Sequence, residues 1–193
     1  MWRSDLEHLI RAAGRIAGER ELVIIGSQAI LGQFPDAPAA LVRSMEADLY
    51  PLSRPELADK VDGAIGEGSK FHEQFGYYAQ GVGPDTATLP RGWQRRLVRV
   101  ENANTDGYAG LCLEVHDLAI SKVARGLSRD FAALKAMHEA STFRLRTLVE
   151  RYEEARRVRV GDNRCFKANF LALVAELFGE EEAERVEPEL RAD

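Results

Sequence analysis

The sequence predicts an α+β fold, with a sheet layered against helices up to about residue 115 and a helical lobe after it. Two observations predict this. Short apolar or alternating segments are interspersed with helical patterns in the first part, whereas the chain from residue 116 shows only the 3.6-residue periodicity of helices. The length of 193 residues, 45 % of them hydrophobic and 30 % charged, fits one globular domain with a small helical appendage.

The first 64 residues predict two strands, each followed by a helix. Residues 2–18 carry apolar side chains at helical spacing, and ELVIIG indicates a buried strand over 22–25. SQAILGQF predicts a short helix with Ser27 as its N-cap. SMEADLYP alternates apolar and polar residues with period 2, which predicts a strand with one polar face. A helix is expected over about 55–64.

The predicted α/β core spans residues 1–115 and contains a lid-like insertion at about 65–95. This insertion is rich in glycine and aromatic residues, and long segments with little periodicity are often functional. Within it we expect a short helix near 69–75 and a short strand near 77–82. Two further strands, RLVRVEN and AGLCLEV, follow it.

The remainder is predicted as a helical lobe over 116–180 and a charged tail over 181–193. No apolar run reaches the roughly 18 residues of a membrane-spanning helix, and the start lacks a signal-peptide pattern, so no membrane partner is expected. Two cysteines are too few for a disulfide framework, which favours a reducing cytoplasm. The net charge of −5 does not favour nonspecific nucleic-acid binding.

A strand–Gly–Ser–helix turn at Gly26–Ser27 is the first candidate functional feature. Backbone N–H groups at such a helix start can hold a phosphate, and glycine lets a ligand approach the backbone closely. Such junctions are also common as ordinary structural turns.

The second candidate feature is the pair Glu46 and Asp48 on the polar face of the alternating strand. Residues i and i+2 of a strand project the same way with Cα atoms roughly 6.5–7 Å apart, so the two carboxylates can ligate one or two Mg²⁺ ions. The alternative is a solvated strand face.

The order of these motifs resembles the DNA polymerase beta-like nucleotidyltransferase superfamily, whose pattern is a hydrophobic residue before Gly-[Gly/Ser], then Asp-x-[Asp/Glu]. Here IGS and MEADL match it. The stretch from Asp117 through Lys122 to Asp130 resembles the helical signature of the AbiEii-like branch, whose members are toxins of toxin–antitoxin and phage-defence systems. GSQAI, EADLYP, LPRGW and HDLAISK are similar to segments of uncharacterised bacterial nucleotidyltransferase-like proteins. The likeness covers roughly residues 20–135.

The resemblance implies a mixed sheet flanked by helices and a Mg²⁺-dependent transfer of a nucleoside monophosphate from an NTP to a hydroxyl group. The acceptor would be RNA such as tRNA, a protein or a small molecule, and a toxin would have an antitoxin protein as partner. The implied catalytic residues are Glu46, Asp48 and Glu101, of which Glu46 and Asp48 hold the metal. The implied nucleotide-binding residues are Gly26, Ser27, Lys122, Arg129 and Asp130.

Two features depart from the family pattern. Glu46 stands where an aspartate is usual, and the interval from Gly26 to Glu46 is 20 positions, which is longer than the common spacing. Glu114 is a second candidate for the third carboxylate. The alternatives are therefore a catalytically degenerate module that binds nucleotide or a partner, and a purely structural protein.

The basic residues Lys122, Arg125 and Arg129 are spaced to share one helix face if that helix continues through Gly126. Asp117 is predicted to cap the helix. The sequence leaves the acceptor, the base preference and the oligomeric state open.

Overall fold

The computed structural model describes residues 1–39, 41–141, 143–160 and 162–190. The last three residues of the predicted charged tail lie outside the described residues. The chain forms two compact units: Met1–Ala87 with Gln94–Glu114, and Thr88–Trp93 with Val115–Asp193.

The first unit contains a five-stranded mixed sheet in the order β3-β2-β1-β5-β4. The pairs β1–β5 and β2–β3 are parallel, and the pairs β1–β2 and β4–β5 are antiparallel. This arrangement confirms the predicted α+β class. The elements are α1 (Arg3–Ala17), β1 (Glu21–Ile24), α2 (Ile30–Gln33), β2 (Glu46–Pro51), α3 (Ala58–Ile65), α4 (Lys70–Phe75), β3 (Tyr78–Gly81), β4 (Val98–Val100) and β5 (Ala109–Cys112).

One face of the sheet is covered by α1, α2 and α3. A side chain at Gly110 of β5 would come within 2.5 Å of Ile10 on α1, so glycine there lets the helix pack closely. Ala47 and Leu49 of β2 point to this covered face and are fully buried. Because side chains alternate along a strand, Glu46 and Asp48 lie on the opposite face.

Several element boundaries differ from the predictions. Ser27 is not an N-cap: it is the first residue of a 3-10 turn, Ser27–Ala29, whose N-cap is Gly26. Asp117 lies in the first turn of a helix that begins at Val115, and its buried carboxylate lies 3.3 Å from Arg151 Nε. The strand after the 65–95 segment ends at Val100, and a 3-10 turn, Ala103–Thr105, follows two residues later.

The segment predicted as a lid-like insertion contains α4 and β3. Ser69 caps α4 by accepting a hydrogen bond from His72 N, and β3 pairs in parallel with β2 as an edge strand of the sheet. The lid function itself stays a prediction.

A buried carboxylate joins α1 to the turn that follows β4. Glu7 accepts hydrogen bonds from Arg3 Nε at 2.9 Å, Asn102 Nδ2 at 2.8 Å and Asn104 Nδ2 at 2.9 Å. Burial alone would raise the pKa of Glu7, but these hydrogen bonds and the charge of Arg3 outweigh it and lower the pKa below its ordinary value of 4.5. The ionised form of Glu7 therefore stabilises the first unit.

The second unit is helical. Its core includes the rings of Tyr152, Phe166 and Phe170, with centroids 4.6 and 4.7 Å apart. Residues Ala183 and Val186 of the predicted tail are buried on an ordered helix. Among the described residues, no helix is long and apolar enough to cross a membrane. The helices are α5 (Val115–Arg125), α6 (Ser128–Ser141), α7 (Leu145–Arg156), α8 (Arg164–Phe178) and α9 (Glu180–Val186).

Candidate active site

The glycine turn lies directly against the carboxylate of Asp48. The antiparallel pairing of β1 with β2 places Ile25 opposite Asp48, and Ile25 N donates a hydrogen bond to Asp48 O at 3.1 Å. A Cβ atom built at Gly26 would lie 2.0 Å from Asp48 Oδ2 and 2.7 Å from its Cγ. Gly26 has φ −77°, which any residue can adopt, so glycine is required here for space and not for conformation.

Glu46 has a hydrogen-bond partner on the neighbouring strand. The parallel register of β2 and β3 pairs Glu46 with Tyr78 and Asp48 with Gln80. Tyr78 Oη donates to Glu46 Oε2 at 3.2 Å. Burial, followed by the negative charge of Glu46, raises the pKa of Tyr78 to about 12. Gln80 is not among the predicted site residues, although the alternation YAQG in β3 places it on the same face as Tyr78.

The turn is also tied to the segment before β2. Gln28, which is fully buried, donates from Nε2 to Ser44 O at 3.3 Å. Ser44 Oγ in turn accepts a hydrogen bond from Glu46 N at 3.2 Å. The other amide atom, Gln28 Oε1, is buried and has no hydrogen-bond donor among the described residues. The Gly-Ser-Gln sequence thus fixes the start of the strand that carries the acidic pair.

Glu101 does not join this pair. It follows Val100, which pairs with Gly110, so it lies level with Glu21 at the start of β1. Glu21 lies four residues before Ile25, which is about 13 Å along β1. Across the sheet, β4 lies three strands away from β2. Its carboxylate accepts a hydrogen bond from Arg99 Nε at 2.7 Å. The structure therefore does not bring Glu101 to the acidic pair, and its role as the third carboxylate stays a prediction.

Glu114 lies at the same end of the sheet as Gly26. It follows β5, whose last residue, Cys112, pairs with Ile24 in parallel. Leu113 N donates to Ile24 O at 3.1 Å, which places the next residue, Glu114, near the level of Gly26. A role for Glu114 stays a prediction.

The predicted basic residues belong to the second unit. Lys122 and Asp130 are both buried, with Lys122 Nζ 3.8 Å from Asp130 Oδ1. Arg125 donates to both oxygens of Asp130, at 2.9 and 2.6 Å. Burial would raise the pKa of Asp130, but the hydrogen bonds and charge of Arg125, with Lys122, outweigh it and lower the pKa.

A shared basic face was expected only if the helix continued through Gly126, and the helix does not do so. That residue has φ +69° and ends α5, so the exposed Arg129 lies on α6. Because only two residues separate α5 from α6, Asp130 in the first turn of α6 lies within hydrogen-bond distance of Arg125. The carboxylate of Asp130 therefore orients basic side chains of α5.

The acidic pair has the donor chemistry that Mg²⁺ requires. This ion is usually held by one or two carboxylates together with substrate phosphates, and Glu46 and Asp48 supply two. Among the described residues, no group of three or more His, Cys, Asp or Glu side chains is placed to hold a metal ion. A surface groove of about 380 Å³ between α7 and α9 is lined by none of the predicted site residues.

A comparison with known protein families identifies the family of this chain. A family model described as "Nucleotidyltransferase of unknown function (DUF6036)" matches residues 4–176. No curated protein and no solved structure matches the chain. Because the family match includes both units and covers most of the sequence, the chain belongs to this nucleotidyltransferase family.

Proposed function

We propose that this protein transfers a nucleoside monophosphate from an NTP to a hydroxyl group in a Mg²⁺-dependent reaction. The acceptor oxygen bonds to the α-phosphate, the bond between the α- and β-phosphates breaks, and pyrophosphate and the hydroxyl proton are released. The observation that supports it most is the contact between Gly26 and Asp48, which joins the phosphate-binding motif to the acidic pair in one place. Two motifs separated by 20 positions in sequence thus lie at one end of the sheet.

Each residue has a distinct task in this proposal. Glu46 and Asp48 would hold the cation, which when bound would neutralise triphosphate charge and lower the pKa of the attacking hydroxyl. The backbone amides of the Gly26–Ser27 turn bind phosphate oxygens at the start of the 3-10 turn. Gln28 holds the segment that carries Glu46 through its hydrogen bond to Ser44.

The predicted nucleotide-binding residues of the second unit have different proposed roles. Lys122 is proposed as a phosphate ligand because of its positive charge, and its side chain is buried beside Asp130. Asp130 is a positioning residue in this proposal, because Arg125 occupies both of its oxygens. Arg129 is exposed on α6 and is proposed as a peripheral phosphate contact.

The acceptor and the biological role are part of the proposal. The acceptor is a hydroxyl of RNA such as tRNA, of a protein or of a small molecule. The resemblance of residues 117–130 to AbiEii-like proteins supports a bacterial toxin that acts in the cytoplasm with an antitoxin partner. The net charge of −5 favours a specific contact with any RNA acceptor over a general electrostatic one.

A second candidate function is nucleotide binding without transfer. Two observations favour it. The residue opposite Asp48 on β3 is the neutral Gln80, and Glu101 lies far from the acidic pair. Such a site has two carboxylates instead of three. It would bind an NTP and a cation but stabilise the transition state weakly.

Incubation with α-labelled NTPs, Mg²⁺ and acceptors that include bulk tRNA tests the proposal. The variant Asp48→Asn should abolish label transfer, whereas the matched control Glu101→Gln should keep it, since Glu101 lies far from the pair. Thermal stabilisation by Mg²⁺ and NTP is measured in parallel. Stabilisation without transfer would favour the second candidate, and absence of both would refute the proposal.

A further inference from the structure

Glu46 has more side-chain conformational freedom to lose on binding a cation than Asp48 has. It lies at the start of β2 with an exposed side chain, and a glutamate has one more rotatable bond than the aspartate at the other position. A carboxylate that rotates freely pays an entropic cost each time it ligates a cation. A group that fixes the Glu46 carboxylate would therefore strengthen cation binding.

The neighbouring strand supplies such a group. Tyr78 is paired with Glu46 in register, and its hydroxyl donates to Glu46 Oε2 at 3.2 Å. We propose that Tyr78 positions the Glu46 carboxylate for the divalent cation, an inference that rests on the function proposed above. This makes Tyr78 a positioning residue that acts through Glu46.

The contacts of Tyr78 show that its own ring is held in place, so that it can support the Glu46 carboxylate. Tyr78 is only 9 % exposed, and its ring centroid lies 4.6 Å from that of His72. His72 is itself anchored, because its Nδ1 accepts a hydrogen bond from Gly68 N at 3.1 Å and its backbone N donates to Ser69 Oγ. The buried phenol is thus a rigid support for an exposed carboxylate.

The chemistry of the donor suits a cation site. A tyrosine hydroxyl is neutral, so it orients the carboxylate without neutralising its charge, as an arginine or lysine partner would. One hydrogen bond also occupies only one of the roughly four lone-pair positions of a carboxylate. The remaining positions suffice for a metal ion.

Calorimetry with Mn²⁺ alone tests this positioning role. Tyr78→Phe removes only the hydroxyl, and we expect it to weaken Mn²⁺ binding about tenfold, the usual effect of losing a hydrogen bond to a metal ligand. The matched control is Tyr77→Phe, which loses a hydrogen bond to His8 Nδ1 at 2.8 Å and should leave Mn²⁺ affinity unchanged. In a Glu46→Gln background, Tyr78→Phe should have no further effect.

A second variant keeps the test decisive if Tyr78→Phe fails to fold. Glu46→Asp lies at an exposed position, keeps the charge and withdraws the carboxylate from Tyr78, so it should weaken Mn²⁺ binding by a similar factor. Wild-type affinity in Glu46→Asp or in folded Tyr78→Phe would overturn the inference. Failure of the wild-type protein to bind Mn²⁺ would instead refute the proposed function.

Discussion

The contact between Gly26 and Asp48 makes a specific prediction for the variant Gly26→Ala. The added methyl group would lie 2.0 Å from Asp48 Oδ2, 2.7 Å from Cγ and 3.0 Å from Cβ. Contacts below 3.0 Å do not persist, so Oδ2 must move by at least about 1 Å. The backbone of Gly26 allows alanine, and the whole effect is therefore steric.

The size of the effect follows from this displacement. Overpacking of this kind costs about 1–3 kcal/mol, and we expect a loss of stability in that range. Activity should suffer more than stability, since a misplacement of about 1 Å in a catalytic group lowers rates roughly 100-fold. Urea unfolding and the label-transfer assay measure the two losses.

Two comparisons isolate the cause in Gly26→Ala. In an Asp48→Ala background the carboxylate is gone, so Gly26→Ala should lower the free energy of unfolding by less than about 0.5 kcal/mol. Gly63→Ala is the matched control: it lies on α3 with open space around its Cβ, so it should be neutral or stabilising by up to about 1 kcal/mol. Equal losses for Gly26→Ala in both backgrounds would show that the Asp48 carboxylate is not the cause of the effect.

Three further predictions concern the rest of the chain. Because the pKa of Glu7 is lowered, its stabilisation is present above pH 4.5 and is lost as pH falls through the folded-state pKa. Urea unfolding should show Glu7→Gln less stable by about 2 kcal/mol at pH 7 and a smaller difference near pH 3; a constant difference would contradict this. Asp130→Asn should lower the free energy of unfolding by about 2–3 kcal/mol, because it breaks the two-bond contact with Arg125, and an unchanged urea midpoint would argue against that contact. Native protein should react with a thiol reagent at the exposed Cys165 only, because burial raises the pKa of Cys112 to about 12; two fast thiols would contradict its burial.

The sequence predicted the Gly26–Asp48 part of the site because local patterns determine it. An apolar run and an alternating segment specify two strands, and the polar face of the second can be identified from the alternation alone. The structure adds the antiparallel register, which places Ile25 opposite Asp48. The sequence did not show that glycine at position 26 makes room for a carboxylate of the same protein.

The positions that the sequence did not predict depend on how segments distant in the chain are arranged in the sheet. Glu101 follows a segment with the alternation of a strand, but this alternation does not determine the order of strands in the sheet. In the structure, β4 lies at the edge of the sheet away from β2. Gln80 and Tyr78 reach the site because β3 pairs in parallel with β2, a non-local choice. Gly126, in a left-handed conformation, separates Arg129 from α5, so the condition for a shared basic face is not met.

The most direct test of the account is a crystal structure of the protein with Mn²⁺ and a non-hydrolysable NTP analogue. The account predicts an anomalous peak within about 2.2 Å of carboxylate oxygens from both Glu46 and Asp48, with the triphosphate against the Gly26–Ser27 turn. A peak elsewhere, or a nucleotide bound away from this turn, would contradict it.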